Sequence, residues 1–368
     1  MPDEADALLR LAMVPGLGPV TVGRLLAAVE SAAAIFHLGM NRLQAIDGLG
    51  PKRARLLCDP RGWDHVADER ARCAAAGIRI LLRGEDDYPR FFEKLTDPPL
   101  AIWLRGRLER RDELALAVVG PRRPSAYGHR QAERFSRSLA ELGVTIVSGL
   151  ARGVDTVAHQ AALQAGGRTL AVLGSGFGRL YPSENKDLAE RIVADHGALL
   201  SEYPYDTKPS PGTFPRRNRL VAALGLGTLV VEAGNRSGAL ITARLTGELG
   251  QEILVIPGPI DRPEHVGAHG LIRDGATLVT SIEDVLEEIP PLKTLAAGEQ
   301  VNGKRGGPAP ALNDRERQVY TLLSDDPRSV DDLIAVSRLP ASAVSATLIA
   351  LEIRRLARRS PAGYVRAL

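Results

Sequence analysis

Four short apolar runs in the middle of the chain each stop at a small-residue turn that carries arginine. They are LALAVVGPRR (114–123), VTIVSGLARG (144–153), TLAVLGSGFGR (169–179) and GTLVVEAGNRSG (227–238). Each run is β-branched and apolar without alternation, and a helix-like stretch follows it. That pattern predicts parallel strands buried on both faces and joined by crossover helices. In such a sheet the strand carboxyl ends lie along one edge, and ligands bind there. Gly120, Gly149, Gly174 and Gly234 let a ligand approach the backbone, and the helix N-termini that follow favour anions. Arg122, Arg123, Arg152, Arg179 and Arg236 would share that edge. Four such turns together point to a site for an extended polyanion.

A chain of 368 residues suggests two or three domains. The first part, 1–78, reads as helical. It contains two glycine turns, VPGLGPVTVGRLL (14–26) and IDGLGPKRARLL (46–57), each of the helix-hairpin-helix form. Their exposed N–H groups suit a phosphate, and tight corners in a small bundle explain them equally well. The segment 79–289 is the α/β domain. Its approach has an edge strand at 101–104 and a short helix at 88–95. Strands are then expected at 114–119, 144–148, 169–173, 198–202, 228–232, 252–256 and 276–279. Helices are expected at 127–142, 154–165, 184–196, 216–224, 238–249, 268–274 and 281–289. This regular alternation favours one doubly wound, Rossmann-like sheet. Residues 290–311, rich in Gly, Pro and Ala, read as a flexible linker. Residues 312–368 read as three helices and a hairpin, the plan of a winged helix.

The formal net charge is only +3, so any nucleic-acid role rests on local clusters of arginine. Two cysteines, Cys58 and Cys73, give neither a disulfide framework nor metal-ligand spacing, and no cofactor motif emerges. No apolar stretch is long enough to span a bilayer, and the start MPDEADALL is acidic where a secretory signal is basic. A cytoplasmic protein with no membrane partner is expected.

The chemistry sits at the turns. In GPRRPS, Gly120, Arg122, Arg123 and Ser125 combine backbone donors, guanidinium forks and a hydroxyl suited to phosphate. Read alone, it is an ordinary turn with two surface arginines. In SGLARGVD, Ser148, Gly149 and Arg152 are ligand candidates, and Asp155 is placed to cap the next helix. The GSGFG run does not follow the first strand, and no acidic residue closes the next strand at dinucleotide spacing. Lys186 at a helix start fits a nearby anion. In TFPRRNRL, Phe214 lies beside Arg216, Arg217, Asn218 and Arg219, an aromatic next to a phosphate track. In VEAGNRSG, Glu232 ends a strand and Arg236 sits in an anion nest. No Walker motif and no nucleophile triad falls on these turns, so no catalytic residue is assigned.

At these residues the chain resembles the DNA processing protein A family, also called DprA or Smf. The likeness runs through VVGPRRPSAYG, SGLARGVDTVAH, AVLGSGFGRLYPSENKDLAERI, GALLSEYP, FPRRNRLVAALG, VVEAGNRSGALITARL and VIPGPIDRP. The resemblance implies an extended Rossmann-like domain that binds single-stranded DNA without catalysis. A SAM/helix-hairpin-helix-like front and a winged tail fit the same plan. It also implies homodimers through the Rossmann-like domain, loading of the RecA recombinase and a role in natural transformation. By motif, the Gly-x-Arg element falls on Gly120 and Arg122, the Asn-Lys element on Asn185 and Lys186, and the Arg-Asn-Arg element on Arg217, Asn218 and Arg219. Pro121 stands where Ser or Thr is common, which removes one N–H donor. His269 in GAHGLIRDGA stands where Asn is usual.

The leading expectation is a single strand across the strand ends, with phosphates on Arg122, Arg152, Lys186, Arg217 and Arg219 and a base on Phe214. The alternative is a nucleotide-processing enzyme of the phosphoribohydrolase, lysine-decarboxylase-like type. Those enzymes carry Pro-Gly-Gly-x-Gly-Thr, and EAGNRSGALIT lacks the double Gly and Thr. A third reading makes the tail a duplex binder through Arg354, Arg355, Arg358, Arg359 and Arg366. The start of its third helix is mostly Ala, Ser and Leu, poor for base readout.

Overall fold

A computed structural model describes residues 3–293, 295, 312–324, 327–337, 339–353, 356–360 and 363–366. It divides into two units, 1–301 and 302–368.

The first unit opens with helices α1 (Glu4–Met13), α2 (Pro19–Ala27), α3 (Ala32–Ile35), α4 (Met40–Gln44), α5 (Pro51–Cys58) and α6 (Gly62–Ala75). The two glycine turns behave alike. Gly16 and Gly48 take positive φ, where a side chain is strained. Leu17 and Leu49 are buried behind them. Pro19 and Pro51 then start helices, a position that needs no N–H donor. The apolar run 19–36 divides into two helices because Ser31 caps the second, accepting from the Ala34 N–H at 3.2 Å.

A nine-stranded sheet follows: β1 (Ile78–Leu82), β2 (Ala101–Gly106), β3 (Ala115–Val119), β4 (Thr145–Ser148), β5 (Thr169–Leu173), β6 (Ala198–Ser201), β7 (Gly227–Val230), β8 (Glu252–Val255) and β9 (Thr277–Leu278). Its order is β1-β2-β6-β5-β4-β3-β7-β8-β9. From β6 to β9 every neighbouring pair is parallel; β2 runs antiparallel to both β1 and β6. The crossover helices are α7 (Ala126–Glu141), α8 (Val154–Gln164), α9 (Lys186–Ala194), α10 (Thr213–Leu224), α11 (Gly238–Glu248), α12 (Val266–Arg273) and α13 (Ile282–Glu288). The doubly wound, Rossmann-like expectation holds. One apolar layer covers each face, with α10 and α11 in one and α7 and α8 in the other.

Three expectations change. Ala101–Leu104 is not the edge strand, because β1 pairs outside it; IRILL follows α6 so closely that it reads as the helix's continuation. The short helix at 88–95 reduces to a 3₁₀ turn at Arg90–Phe92. The linker does not begin at 290: residues 290–293 are helical. Leu292 is fully buried in the sheet's core, and Leu295 packs against it. Residues 296–311 lie outside the described residues.

The helical front and the sheet share a core. Leu9, Val66 and Cys73 pack with Ile78, Leu82 and Trp103. The Trp103 indole N–H donates to Glu69 at 2.7 Å, and so does the Tyr205 backbone N–H at 2.6 Å. At the amino-terminal edge of the sheet, buried Arg168 forks onto buried Asp112 at 2.5 and 2.8 Å and also donates to the Arg107 and His196 carbonyls. This pair ties the β3, β5 and β6 entries together.

The second unit holds α14 (Asp314–Leu322), α15 (Val330–Ser337), α16 (Ala341–Ile353), β10 (Ala357–Ser360) and β11 (Gly363–Arg366). Asn313 and Glu316 form a reciprocal capping box at the start of α14. Val319, Leu333, Leu348 and Tyr364 fill its core. Arg366 lies over the Tyr320 ring at 4.7 Å and donates to its carbonyl, so it serves the unit's own packing. Arg358 is exposed. Arg354, Arg355 and the side chain of Arg359 lie outside the described residues. No single helix among the described residues is long and apolar enough to cross a membrane.

Candidate nucleic-acid interface

The chain moves outward from β3 through β4 and β5 to β6, then returns by α10 to β7 on the other side of β3. This reversal splays the β3 and β7 turns apart at the carboxyl edge, where open α/β sheets bind ligands. A cleft of about 1040 Å³ lies there. Its walls come from the β3 turn, the β4 turn, the entry of α10 and the β7 turn.

Two neighbouring rings lie between two cations along one wall. The Arg122 guanidinium lies 5.2 Å from the Phe214 ring centre, Phe214 lies 5.7 Å from Tyr181, and the Arg152 guanidinium lies 5.6 Å from Tyr181. Tyr181 is exposed and Phe214 half-buried. The Phe214 ring sits where a Cβ on Gly174 would be, so that glycine is the seat of the ring. Such an array offers stacking surfaces with positive charge at each end, suited to bases beside phosphates.

The β4 turn beneath this wall is held by four buried side chains. Asp155 accepts from the Gly149 and Ala151 N–H groups at 3.1 and 3.2 Å. His159 Nε2 accepts from the Leu150 N–H at 3.3 Å. Asn185 Nδ2 donates to the Leu150 carbonyl at 2.9 Å. Arg217 donates to the Gly149 and Val172 carbonyls. Together they hold Leu150 at φ 55°, an unfavourable conformation for a non-glycine residue. Burial holds the His159 imidazole down to about 3, and the nearby Arg217 charge adds to this. The Thr169 hydroxyl donates to the Ile146 carbonyl, so it accepts from His159 Nδ1–H at 2.7 Å.

The structure sorts the residues singled out from sequence. Gly120, Arg122, Arg123, Gly149, Phe214, Arg217, Asn218 and Arg236 line the cleft. Arg122, Arg123 and Arg236 are exposed there. Arg152 lies in an adjoining recess with Tyr181 and Phe214, and it also forks onto Glu184. Its hydrogen bonds hold the Glu184 carboxyl below the usual range. Lys186 is exposed at the start of α9 but does not line the cleft.

Other assignments are corrected. Arg217 is buried and faces carbonyls, so it is an anchor of the β4 turn and not an open phosphate ligand. Arg219 is buried and bonded to Glu202 at 2.5 Å; Arg216 bonds the same oxygen at 2.9 Å. Both stand outside the cleft, because helical spacing turns them away from Phe214 and Asn218. Ser148 is fully buried and donates to the Val118 carbonyl. Ser125 caps α7 and donates to the fully buried Glu232 at 2.7 Å. Asp155 is not the cap of α8; Gly153 holds that position. Pro121 keeps a backbone role, its carbonyl accepting from Val154 at 3.2 Å. His269 Nε2 lies 3.0 Å from the Gly258 carbonyl. Tyr181 was not legible as a site residue, since only the tertiary fold carries it to Phe214; its tyrosine-proline pair beside a glycine-rich turn is the one local signal.

Comparison with known proteins agrees with this architecture. Residues 79–290 match the family described as DNA recombination-mediator protein A. Residues 304–363 match the DprA winged helix domain, and residues 8–59 a SAM-like helix-hairpin-helix tandem. The chain is 31% identical to Protein Smf of Synechocystis sp., covering 96% of each. The X-ray structure of DprA from Streptococcus pneumoniae is similar with a TM-score of 0.66 and 33% identity, over 78% of this chain and 99% of that one. DprA from Helicobacter pylori, a structure described for its single-stranded DNA binding mode, gives a TM-score of 0.52 and 30% identity, over 60% of this chain and 96% of that one. A switch-point cleft in a doubly wound sheet, with a hairpin front before it and a winged unit after it in the sequence, and a match along nearly the whole length, place the chain in the DNA recombination-mediator protein A family, the DprA/Smf proteins.

Proposed function

We propose that the chain binds single-stranded DNA in the switch-point cleft, with phosphates on Arg122, Arg123, Arg152 and Arg236 and bases on Phe214 and Tyr181. The observation that carries this reading is the pair of neighbouring rings flanked by a guanidinium group at each end along one wall. Stacking and phosphate contact carry no base code, so sequence preference is slight. Single strands are favoured over duplex because paired bases present no free faces to the rings. The H. pylori relative supports the ligand class. In this reading the protein is a non-catalytic mediator. It holds incoming strands, works as a homodimer through the Rossmann-like domain and loads a RecA-type recombinase during natural transformation.

Gel shifts with single- and double-stranded oligomers at two salt concentrations test the ligand. Preferential retention of single strands of any sequence, weakening as salt rises, is expected. Equal or tighter duplex binding contradicts the reading.

A further inference from the structure

Helix α6 of the front and the β5 turn meet through the segment 203–207, which leads from β6 toward α10 and the cleft. Buried Glu69 on α6 holds this segment. Its Oε1 accepts from the Trp103 indole at 2.7 Å and from the Tyr205 backbone N–H at 2.6 Å. Three residues along the same helix, Arg72 pairs with Asp206 at 2.5 Å. Tyr205 packs on the core that front and sheet share, and so does Phe177 of the β5 turn.

The segment in turn grips the β5 turn. The Gly176 N–H donates to the Thr207 carbonyl at 2.9 Å, and the Gly178 N–H to the Tyr205 carbonyl at 2.8 Å. Arg179 lies 3.7 Å from Asp206. A Cβ on Gly176 would run into the Pro204 and Tyr205 carbonyl oxygens, and one on Gly178 would stand 2.5 Å from the Tyr205 ring. The two backbones touch with no room for side chains, a close approach that glycine permits. The GSGFG run thereby gains a role. Gly174 seats Phe214, while Gly176 and Gly178 seat the segment 203–207.

Both rings of the cleft wall depend on this turn. Phe214 rests on its first glycine, and Tyr181, 5.7 Å from Phe214, follows two residues after Arg179. We infer that the helical front sets the position of the ring pair, with Glu69 as a positioning residue that acts through Tyr205 and the β5 turn on Tyr181, a role that rests on single strands lying in the switch-point cleft. Glu69 does not line that cleft. A buried carboxylate oxygen shared by donors from two elements fixes their separation, because hydrogen bonds to a charged acceptor are short and strong. Without it the Tyr205 N–H is left unpaired in a buried place, and the segment shifts to satisfy it. The turn shifts with the segment, and rings that are no longer preorganised bind at a greater ordering cost.

Anisotropy titration of the full chain with a labelled oligo-dT tests this, each variant being measured well below its melting midpoint. Tyr181→Leu removes one stacking ring and should bind about tenfold more weakly than the native chain. Glu69→Ala should bind about fivefold more weakly, and Glu69→Gln, which keeps the acceptor oxygen, within about twofold of native. Gly178→Ala pushes the Tyr205 ring off the turn without stranding a buried polar group, so it reads the same coupling should Glu69→Ala fail to fold. A loss of about threefold is expected for it, and in the Tyr181→Leu background each loss should shrink below about twofold, as for residues that act as one unit. A merely structural Glu69 lowers the melting midpoint and leaves these affinities native, which overturns the inference while the cleft reading stands. Losses that persist in full in the Tyr181→Leu background overturn it too, as does a Glu69→Gln loss equal to that of Glu69→Ala. Native affinity in Tyr181→Leu overturns both the inference and the stacking role of Tyr181.

Discussion

Arg152 shows how a single carboxylate sets the strength of a cationic site. Its guanidinium is both over Tyr181 and forked onto Glu184. A phosphate must compete with that carboxylate. Glu184→Gln removes the competing charge, and single-strand affinity at low salt should rise about two- to fivefold, an effect that added salt erases. Unchanged affinity in fluorescence anisotropy would place Arg152 outside the DNA path. His159 makes a second residue-scale prediction. Its imidazole titrates near 6.5 when unfolded and at about 3 in the fold, where burial keeps it neutral. Between these values the unfolded chain holds the extra proton. Stability therefore rises with pH through this window and is lost as pH falls from 6.5 toward 3, by up to roughly 1.4 kcal/mol per pH unit. Urea unfolding at pH 7 and pH 5 should show a steeper loss for the native chain than for His159→Gln; parallel losses would contradict the neutral buried imidazole. The exposed arginines of the β3 and β7 turns were legible in the sequence because glycine turns after apolar runs fix where strand ends lie. The fates of Arg217 and Arg219 were not. A guanidinium beside a helix start reads as a phosphate ligand whether it ends in solvent or on buried carbonyls and carboxylates.

At the scale of elements, α10 carries two jobs on two faces. Phe214, Arg217 and Asn218 face the cleft, while Arg216 and Arg219 face Glu202. Three-residue helical spacing separates these sets within one arginine-rich run, which is why the run read as a single track. Arg219→Ala leaves a buried carboxylate short of a partner and should cost about 3–5 kcal/mol of stability. Its single-strand affinity, measured well below the melting midpoint, should stay within about threefold of the native chain. A stable variant that has lost DNA binding would return Arg219 to the site. The parallel strands were readable almost to the residue, since burial on both faces demands unbroken apolar runs. β1 was not readable, because a five-residue strand pressed against the end of α6 has no turn signal beyond Gly77 to announce it.

At the scale of the whole molecule, the cleft, its anchors and its rings all belong to the first unit. The second unit has its own core and a capped first helix. Truncation after residue 301 should leave single-strand affinity within about threefold, since no cleft residue is removed. A loss beyond tenfold would assign the DNA site to the tail. The boundary at 78 was less legible than the tail's, because α1 and α6 share a core with β1 and β2 instead of ending at a linker.

The most direct test of the switch-point cleft is the affinity for a labelled oligo-dT of the native chain, Arg122→Ala combined with Phe214→Leu, and Arg216→Ala. Base stacking on one aromatic is worth about 1–3 kcal/mol. Loss of one phosphate contact flattens the slope of log affinity against log salt by about 0.7. The double variant should therefore bind at least tenfold more weakly and with a shallower salt dependence, while Arg216→Ala matches the native chain. Native affinity in the double variant, or equal losses in both, would contradict a strand lying along the Arg122–Phe214 wall.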